Sequence, residues 1–190
     1  MDLWLARHAQ TLADPGLCCG VTNVCASAPA SLEAARQLAA ILPYGLSAWT
    51  SPLLRCRQLS RDLQTLRPDL EFTVDERLRE LNFGRWEGMR WDVIGKDEID
   101  RWAEDFGTYR FGGKCSVNEF LSTVAVILDE VVRQGRDALW VTHAGVIRAA
   151  GLLASGVSQI TTASEWPVGA PAPGQWTRIS FGNHHQQQAG

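Results

Sequence analysis

Along the 190-residue chain, short apolar runs alternate with stretches of helical period. Residues 3–6 are apolar and end at Arg7-His8, which predicts a buried strand that delivers two polar groups to a sheet edge. Residues 14–29, rich in Gly, Cys, Ser and Pro and without period, predict a loop. Ser31 then precedes an Ala- and Leu-rich helix over 32–42 that Pro43 stops. A second strand is expected over 46–50. Ser51-Pro52 supplies a capping residue and a proline for a helix over 53–66 that starts where that strand ends. The capping box Ser116-Val117-Asn118-Glu119 opens a long helix with Phe120, Leu121, Val124, Ile127, Leu128 and Val131 at helical spacing. A strand over 138–142, the turn His143-Ala144-Gly145 and a helix over 146–153 follow. Residues 175–181 alternate and predict a last strand, at an edge. Residues 80–115 fit neither period and are expected to be a lid-like insertion in a single domain over 1–182, followed by a polar tail over 183–190 that contains His184 and His185.

Strands alternating with helices imply an α/β fold with an open, mostly parallel sheet covered on both faces. Ligands bind such sheets at the carboxyl ends of the strands. Arg7-His8, Ser51 to Arg55 and His143-Ala144-Gly145 all follow predicted strands, so these polar groups are expected to converge on one edge.

Composition narrows the chemistry. With 45% hydrophobic and 21% charged residues, the chain has the make-up of a globular domain. A net charge of −3 gives no basic field for nucleic acid. No run of apolar residues is long enough to span a membrane, and the N-terminus lacks the basic and apolar regions of a signal peptide, so a cytoplasmic protein is expected. The cysteines, Cys18, Cys19, Cys25, Cys56 and Cys115, are odd in number and form no Cys-x-x-Cys pair, which argues against a disulfide framework or a zinc site. Cys18, Cys19 and Cys25 read as small buried side chains. All basic residues except Lys96 and Lys114 are arginine, the side chain whose planar fork grips phosphate.

Two arginines and two histidines at one sheet edge make an anion site, because unpaired arginine is costly to bury. A neutral imidazole at His8 can attack phosphorus and form a phosphoenzyme. Arg7 and Arg55 would neutralise the transferring oxygens and discourage protonation of the ring. The amides of Ala144 and Gly145, opening a helix, would add a partial positive charge. Such a site needs no metal and no cofactor. A proton donor for the leaving alcohol is also required, and Asp75, Glu76, Glu80 and Glu87 all lie in one acidic stretch that leaves the choice open.

Four segments in order, Arg7-His8-Ala9-Gln10-Thr11, Ser51-Pro52-Leu53-Leu54-Arg55-Cys56, Leu78-Arg79-Glu80-Leu81-Asn82-Phe83-Gly84-Arg85-Trp86-Glu87-Gly88 and Val141-Thr142-His143-Ala144-Gly145, resemble the histidine phosphatase superfamily, which includes the cofactor-dependent phosphoglycerate mutases. The resemblance implies a phosphoglycerate mutase-like three-layer α/β/α sandwich. It implies His8 as the phosphorylated nucleophile and Glu80 as the proton donor. Arg7, Arg55 and His143 become the phosphate pocket, with Thr11, Ala144 and Gly145 as further substrate contacts. Gln10 departs from the family's usual glutamate, and Gly112-Gly113-Lys114-Cys115-Ser116 replaces the Gly-Glu-Ser of many relatives. Residues 76–106 are similar to the α-ribazole-5′-phosphate phosphatases of cobalamin synthesis. The expected activity is therefore hydrolysis of a small phosphorylated metabolite, with a mutase-type phosphotransferase and a noncatalytic phosphate-binding regulatory module as alternatives. The expected state is a monomer or a homodimer. Trp86, Trp91 and Trp102 read as packing of the lid, with an aromatic wall for a ring-bearing substrate as the alternative.

Overall fold

The computed structural model describes residues 1–182, so the expected tail with His184 and His185 lies outside the described residues. Five strands form one sheet in the order β3-β2-β4-β1-β5. They are β1 (Asp2–Arg7), β2 (Ser47–Thr50), β3 (Phe72–Val74), β4 (Ala138–Thr142) and β5 (Trp176–Ser180). The first four run parallel, and β5 pairs antiparallel with β1 at an edge. The helices are α1 (Ala28–Ile41), α2 (Leu54–Leu66), α3 (Lys96–Glu104), α4 (Val117–Gln134) and α5 (Ala144–Ala154).

Side-chain alternation builds two cores, one on each face of the sheet. Leu3 and Leu5 of β1 and Ala138 and Trp140 of β4 join a cluster with α4 and α5. Ala6, Leu139 and Val141 join the other, with Ala35 and Leu38 of α1 and Leu59 and Leu63 of α2. β4 lies between β1 and β2 and is buried along its whole length, which is why its sequence is an apolar run rather than an alternation. The result is the expected three-layer sandwich.

Several boundaries differ from the sequence reading. α1 starts at Ala28 after Ser27, not after Ser31, because Pro29 sits in the first turn, where its fixed φ and missing N–H are tolerated. Residues 28 and 29 therefore belong to the helix rather than the loop. α2 starts at Leu54 with Leu53 as its cap, so Pro52 precedes the helix. The capping box of α4 is formed as expected, Ser116 Oγ accepting from the Glu119 amide and the Glu119 carboxylate from the Ser116 amide. The three-residue strand β3 carried no recognisable period. α3, inside residues 80–115, buries no residue completely, and its apolar stripe is only Ile99 and Trp102, too short to stand out among the charged residues around it.

The remainder of residues 80–115 has no core of its own. Trp86 and Phe111 are buried in the α4–α5 cluster, with Phe83, Trp102 and Phe106 packed against them. Among the described residues no helix is long and apolar enough to cross a membrane.

Candidate active site

Parallel pairing brings three strand ends together. Arg7 pairs with Thr142 across β1 and β4, and Thr50 pairs with Val141 across β2 and β4. The next residues along each strand are His8, His143 and Ser51. The His8 amide donates to the Thr142 carbonyl at 3.0 Å and the Ser51 amide to the Val141 carbonyl at 3.0 Å. The two imidazoles consequently face each other with ring centroids 5.2 Å apart.

Hydrogen bonding fixes the proton positions on both rings. A carbonyl oxygen only accepts, so the 2.8 Å contact from His8 Nδ1 to the Ala9 carbonyl puts the proton on Nδ1 and leaves a lone pair on Nε2. Burial pushes the His8 pKa down to about 3, and Arg55 and Arg7 act in the same direction against the Ala9 bond. At neutral pH this ring is an uncharged imidazole with a free Nε2. In His143, Arg55 Nε donates to Nδ1 at 3.2 Å, so Nε2 carries the proton and donates to Ser51 Oγ at 2.8 Å. Burial holds the His143 pKa well below the ordinary imidazole value, with Arg55, His8 and Arg7 contributing. Cys56 Sγ packs 3.4 Å from the same Nε2.

Arg55 is 3% exposed and has no carboxylate among its hydrogen-bond partners. Besides His143 it donates to the carbonyls of Thr22 at 2.9 Å and Gly20 at 2.7 Å. The 20–22 segment is itself held by Glu87, whose carboxylate accepts from the amides of Val21, Thr22 and Phe83 and from the Thr22 hydroxyl. A side chain at Gly20 would begin 2.1 Å from the Leu81 carbonyl, so this close approach requires glycine. Glu87 thus positions Arg55 through the loop. Arg7 donates to the Pro171 carbonyl at 3.0 Å, and its Nε is buried without a partner. Two guanidinium groups therefore converge beside two neutral imidazoles with no internal counter-ion bonded to them, a standing demand for a dianion.

The acidic stretch separates into distinct roles. Glu76 is an exposed partner of Arg79, Asp75 binds Arg77, and Glu87 is occupied by the loop. Only Glu80 turns toward the pocket. The Thr142 hydroxyl donates to the Leu78 carbonyl at 2.9 Å and anchors the segment beside the end of β4. Glu80 Oε2 then accepts from the Gly145 amide at 3.1 Å and Oε1 from the Leu81 amide at 3.1 Å. Burial raises the Glu80 pKa against the pull of these amides, Arg55 and Arg7. A Cβ at Gly145 would stand 2.1 Å from Glu80 Oε1, so glycine is needed here for the carboxyl to reach the helix start.

These contacts revise one expectation. The Gly145 amide, expected to face the anion, is committed to Glu80, because a carboxylate at the start of a helix is itself the preferred occupant. Thr11 takes no part in the hydrogen bonds that join the cluster; its backbone bridges Ala26 instead. Ala144 opens α5 directly after His143.

Next to Glu80 lies a cavity of about 420 Å³, lined by aromatic rings from Phe83, Trp91, Trp102, Phe106 and Trp166, with Gly145 and Arg148 on its α5 side. Trp91 and Trp102 thus line a wall, whereas Trp86 is 2% exposed and acts in packing. Of the three cysteines expected to be buried, Cys18 is buried, Cys19 is half-buried and Cys25 is exposed. Ser51 as the partner of His143, Glu87 as the anchor of the loop, and Arg148 and Trp166 at the cavity were not identified from the sequence. Ser51 carries a signal, a hydroxyl one position beyond a strand end, but that pattern fits a helix cap equally well. Trp166 lies in an irregular segment with no period to interpret.

The fold is that of the histidine phosphatases, and the chain belongs to the histidine phosphatase superfamily (branch 1), whose family model matches residues 3–189. Its fold is similar to that of mycobacterial glucosyl-3-phosphoglycerate phosphatase, with a TM-score of 0.78 and 23% identity over 93% of this chain and 88% of that one. It is also similar to TTHB049 from Thermus thermophilus, with a TM-score of 0.71 and 28% identity over 95% and 94% of the two chains. A structure of the mycobacterial phosphatase complexed with VO3 matches at 25% identity over 94% of this chain and 92% of that one, with a TM-score of 0.76. No curated protein matches the chain.

Proposed function

We propose that this protein is a metal-independent phosphomonoester hydrolase that works through a phosphohistidine at His8. The observation that carries this reading is the protonation pattern: His8 presents an unprotonated Nε2 beside two guanidinium groups without bonded counter-ions. Nε2 attacks phosphorus, the bond from phosphorus to the ester oxygen breaks, and Glu80 gives its proton to the departing alkoxide. Water then attacks the phosphohistidine, the Glu80 carboxylate takes a proton from it, and inorganic phosphate and neutral His8 are released. Arg7 and Arg55 stabilise the charge of the transferring oxygens in both steps. Arg55 also holds His143 in one tautomer. Among the described residues no group of three or more His, Cys, Asp or Glu is arranged to hold a metal ion.

The alcohol half of the ester leaves past Glu80 into the aromatic cavity, so the favoured substrates carry a flat or apolar ring. α-Ribazole 5′-phosphate, suggested by the resemblance of residues 76–106, is such an ester. That the similar mycobacterial phosphatase forms a complex with VO3 lends support to oxyanion binding by this fold.

The test is phosphate release from α-ribazole 5′-phosphate, aryl phosphates, nucleotides and sugar phosphates, with and without a chelator, alongside an assay for isomerisation of phosphoglycerate. Chelator-resistant hydrolysis that favours ring-bearing esters is the expected result. Isomerisation without hydrolysis, or activity abolished by the chelator, overturns the reading.

A further inference from the structure

Arg148 belongs to none of the functions assigned so far. It lies on α5 three residues beyond Gly145, hence on the same helix face, and lines the aromatic cavity one turn behind Glu80's contact with the helix. It is half-buried, and its hydrogen bond among the described residues is to the Val168 carbonyl, at 3.1 Å. Its Nε is buried without a partner, as is that of Arg7. Both guanidinium groups are tethered by one terminal nitrogen to the same irregular segment, Arg148 at Val168 and Arg7 at Pro171. They are close enough for the charge of Arg148 to act on Arg7. Arg148 lines the aromatic cavity, whose lining includes Glu80 but none of Arg7, His8, Arg55 and His143. The third guanidinium therefore stands on the cavity side of Glu80, where the alcohol half is placed.

A cation that is partly removed from water, lacks a bonded carboxylate and repels a neighbouring cation calls for an anion. The transferring phosphoryl group belongs to Arg7 and Arg55. We propose that Arg148 forms a second anion subsite, which binds a carboxylate or phosphate carried on the alcohol half of the substrate, beside its ring. This rests on the hydrolase reading and narrows it. A ring alone, as in α-ribazole, fills the aromatic walls and leaves Arg148 without its partner; a ring-bearing ester with a second anionic group satisfies both.

The probes are the 2-, 3- and 4-carboxyphenyl phosphates and the matching carbamoylphenyl phosphates, which have the same size but no charge. Each pair is hydrolysed by the wild type, Arg148→Gln and Arg148→Lys. Comparing the loss on the two members of a pair within one variant cancels their intrinsic reactivities. For the best-placed isomer, Arg148→Gln is expected to lose about tenfold more kcat/KM on the carboxylate than on the carboxamide, and Arg148→Lys to recover part of that difference. Equal losses on both members of every pair overturn the subsite. A wild type that hydrolyses none of these esters contradicts the hydrolase reading instead. The subsite is then tested by calorimetric binding of the corresponding hydroxybenzoates against hydroxybenzamides with inorganic phosphate saturating the Arg7–Arg55 centre, which also serves if the variants fail to fold. Tighter binding of a carboxylate by the wild type, weakened by added salt, supports the subsite; equal binding sinks it.

Discussion

The anion centre and the aromatic cavity share a border at Glu80 but are built by opposite means. At the centre, nearly every polar atom has a directed partner: His8 on Ala9, His143 between Arg55 and Ser51, and Arg55 on Gly20 and Thr22. The cavity is shaped by ring contacts, such as Trp102 stacked on Phe106 at 5.2 Å and Phe83 edge-on to Trp91 at 5.2 Å. Directed bonds fix protonation and charge, which chemistry at phosphorus requires. Ring contacts fix shape and tolerate exchange of one ring for another. The reaction is thus written into the centre and the choice of alcohol into the cavity.

That division is broken or sharpened most strongly by removing the nucleophile. His8→Asn is expected to lower kcat by about 10³-fold or more on every ester, whatever its leaving group, in steady-state phosphate release. A loss confined to ring-bearing esters would erase the distinction. Glu80→Gln tests the border, with an expected loss of about 10²-fold. The loss is largest for alkyl esters and smallest for 4-nitrophenyl phosphate, whose leaving group needs no proton. The sign of the pH effect follows from the raised pKa. Glu80 retains its proton above the ordinary carboxylate range, and the rate of alkyl-ester hydrolysis falls as pH rises through the folded-state value. Glu80→Gln removes that limb of the profile. Trp102→Ala is expected to raise KM by roughly five- to twentyfold for ring-bearing esters and by much less for small aliphatic ones, with kcat less affected than KM.

The smallest effect is on stability. His8 is neutral when folded down to about 3, whereas an unfolded histidine binds its proton near 6.5. Between these values the unfolded chain binds more protons, so this contribution is complete above about 6.5 and is lost as pH falls toward about 3. His8→Asn lacks that term, and its melting temperature is expected to drop less steeply over the same window.

The contrast also explains what the sequence disclosed. Strand ends are legible because an apolar run that stops at a polar residue is a local signal, and Arg7-His8, Ser51 and His143 all sit at such stops. Whether Ser51 caps a helix or holds an imidazole depends on a residue 92 positions away, and no local pattern carries that. Glu80 was distinguished from Asp75, Glu76 and Glu87 only by family resemblance, because the choice depends on which carboxyl meets the Gly145 amide. The cavity was the least legible part. Its rings come from residues 83–106 and from Trp166, and apart from Trp102 on the short helix α3 they sit on irregular backbone that gives hydrophobic residues no period. Trp91 and Trp102 line it and Trp86 does not, a difference of orientation rather than of residue type.

The central claim is that His8 becomes phosphorylated, and rapid chemical quench addresses it most directly. Enzyme mixed with a radiolabelled aryl phosphate and quenched in base within the first turnover is expected to carry an acid-labile, base-stable phosphoryl group. Peptide mapping should locate that group on the segment containing His8, and it should be absent from His8→Asn. Label on another residue, or hydrolysis at full rate in a variant that cannot be labelled, would contradict the account.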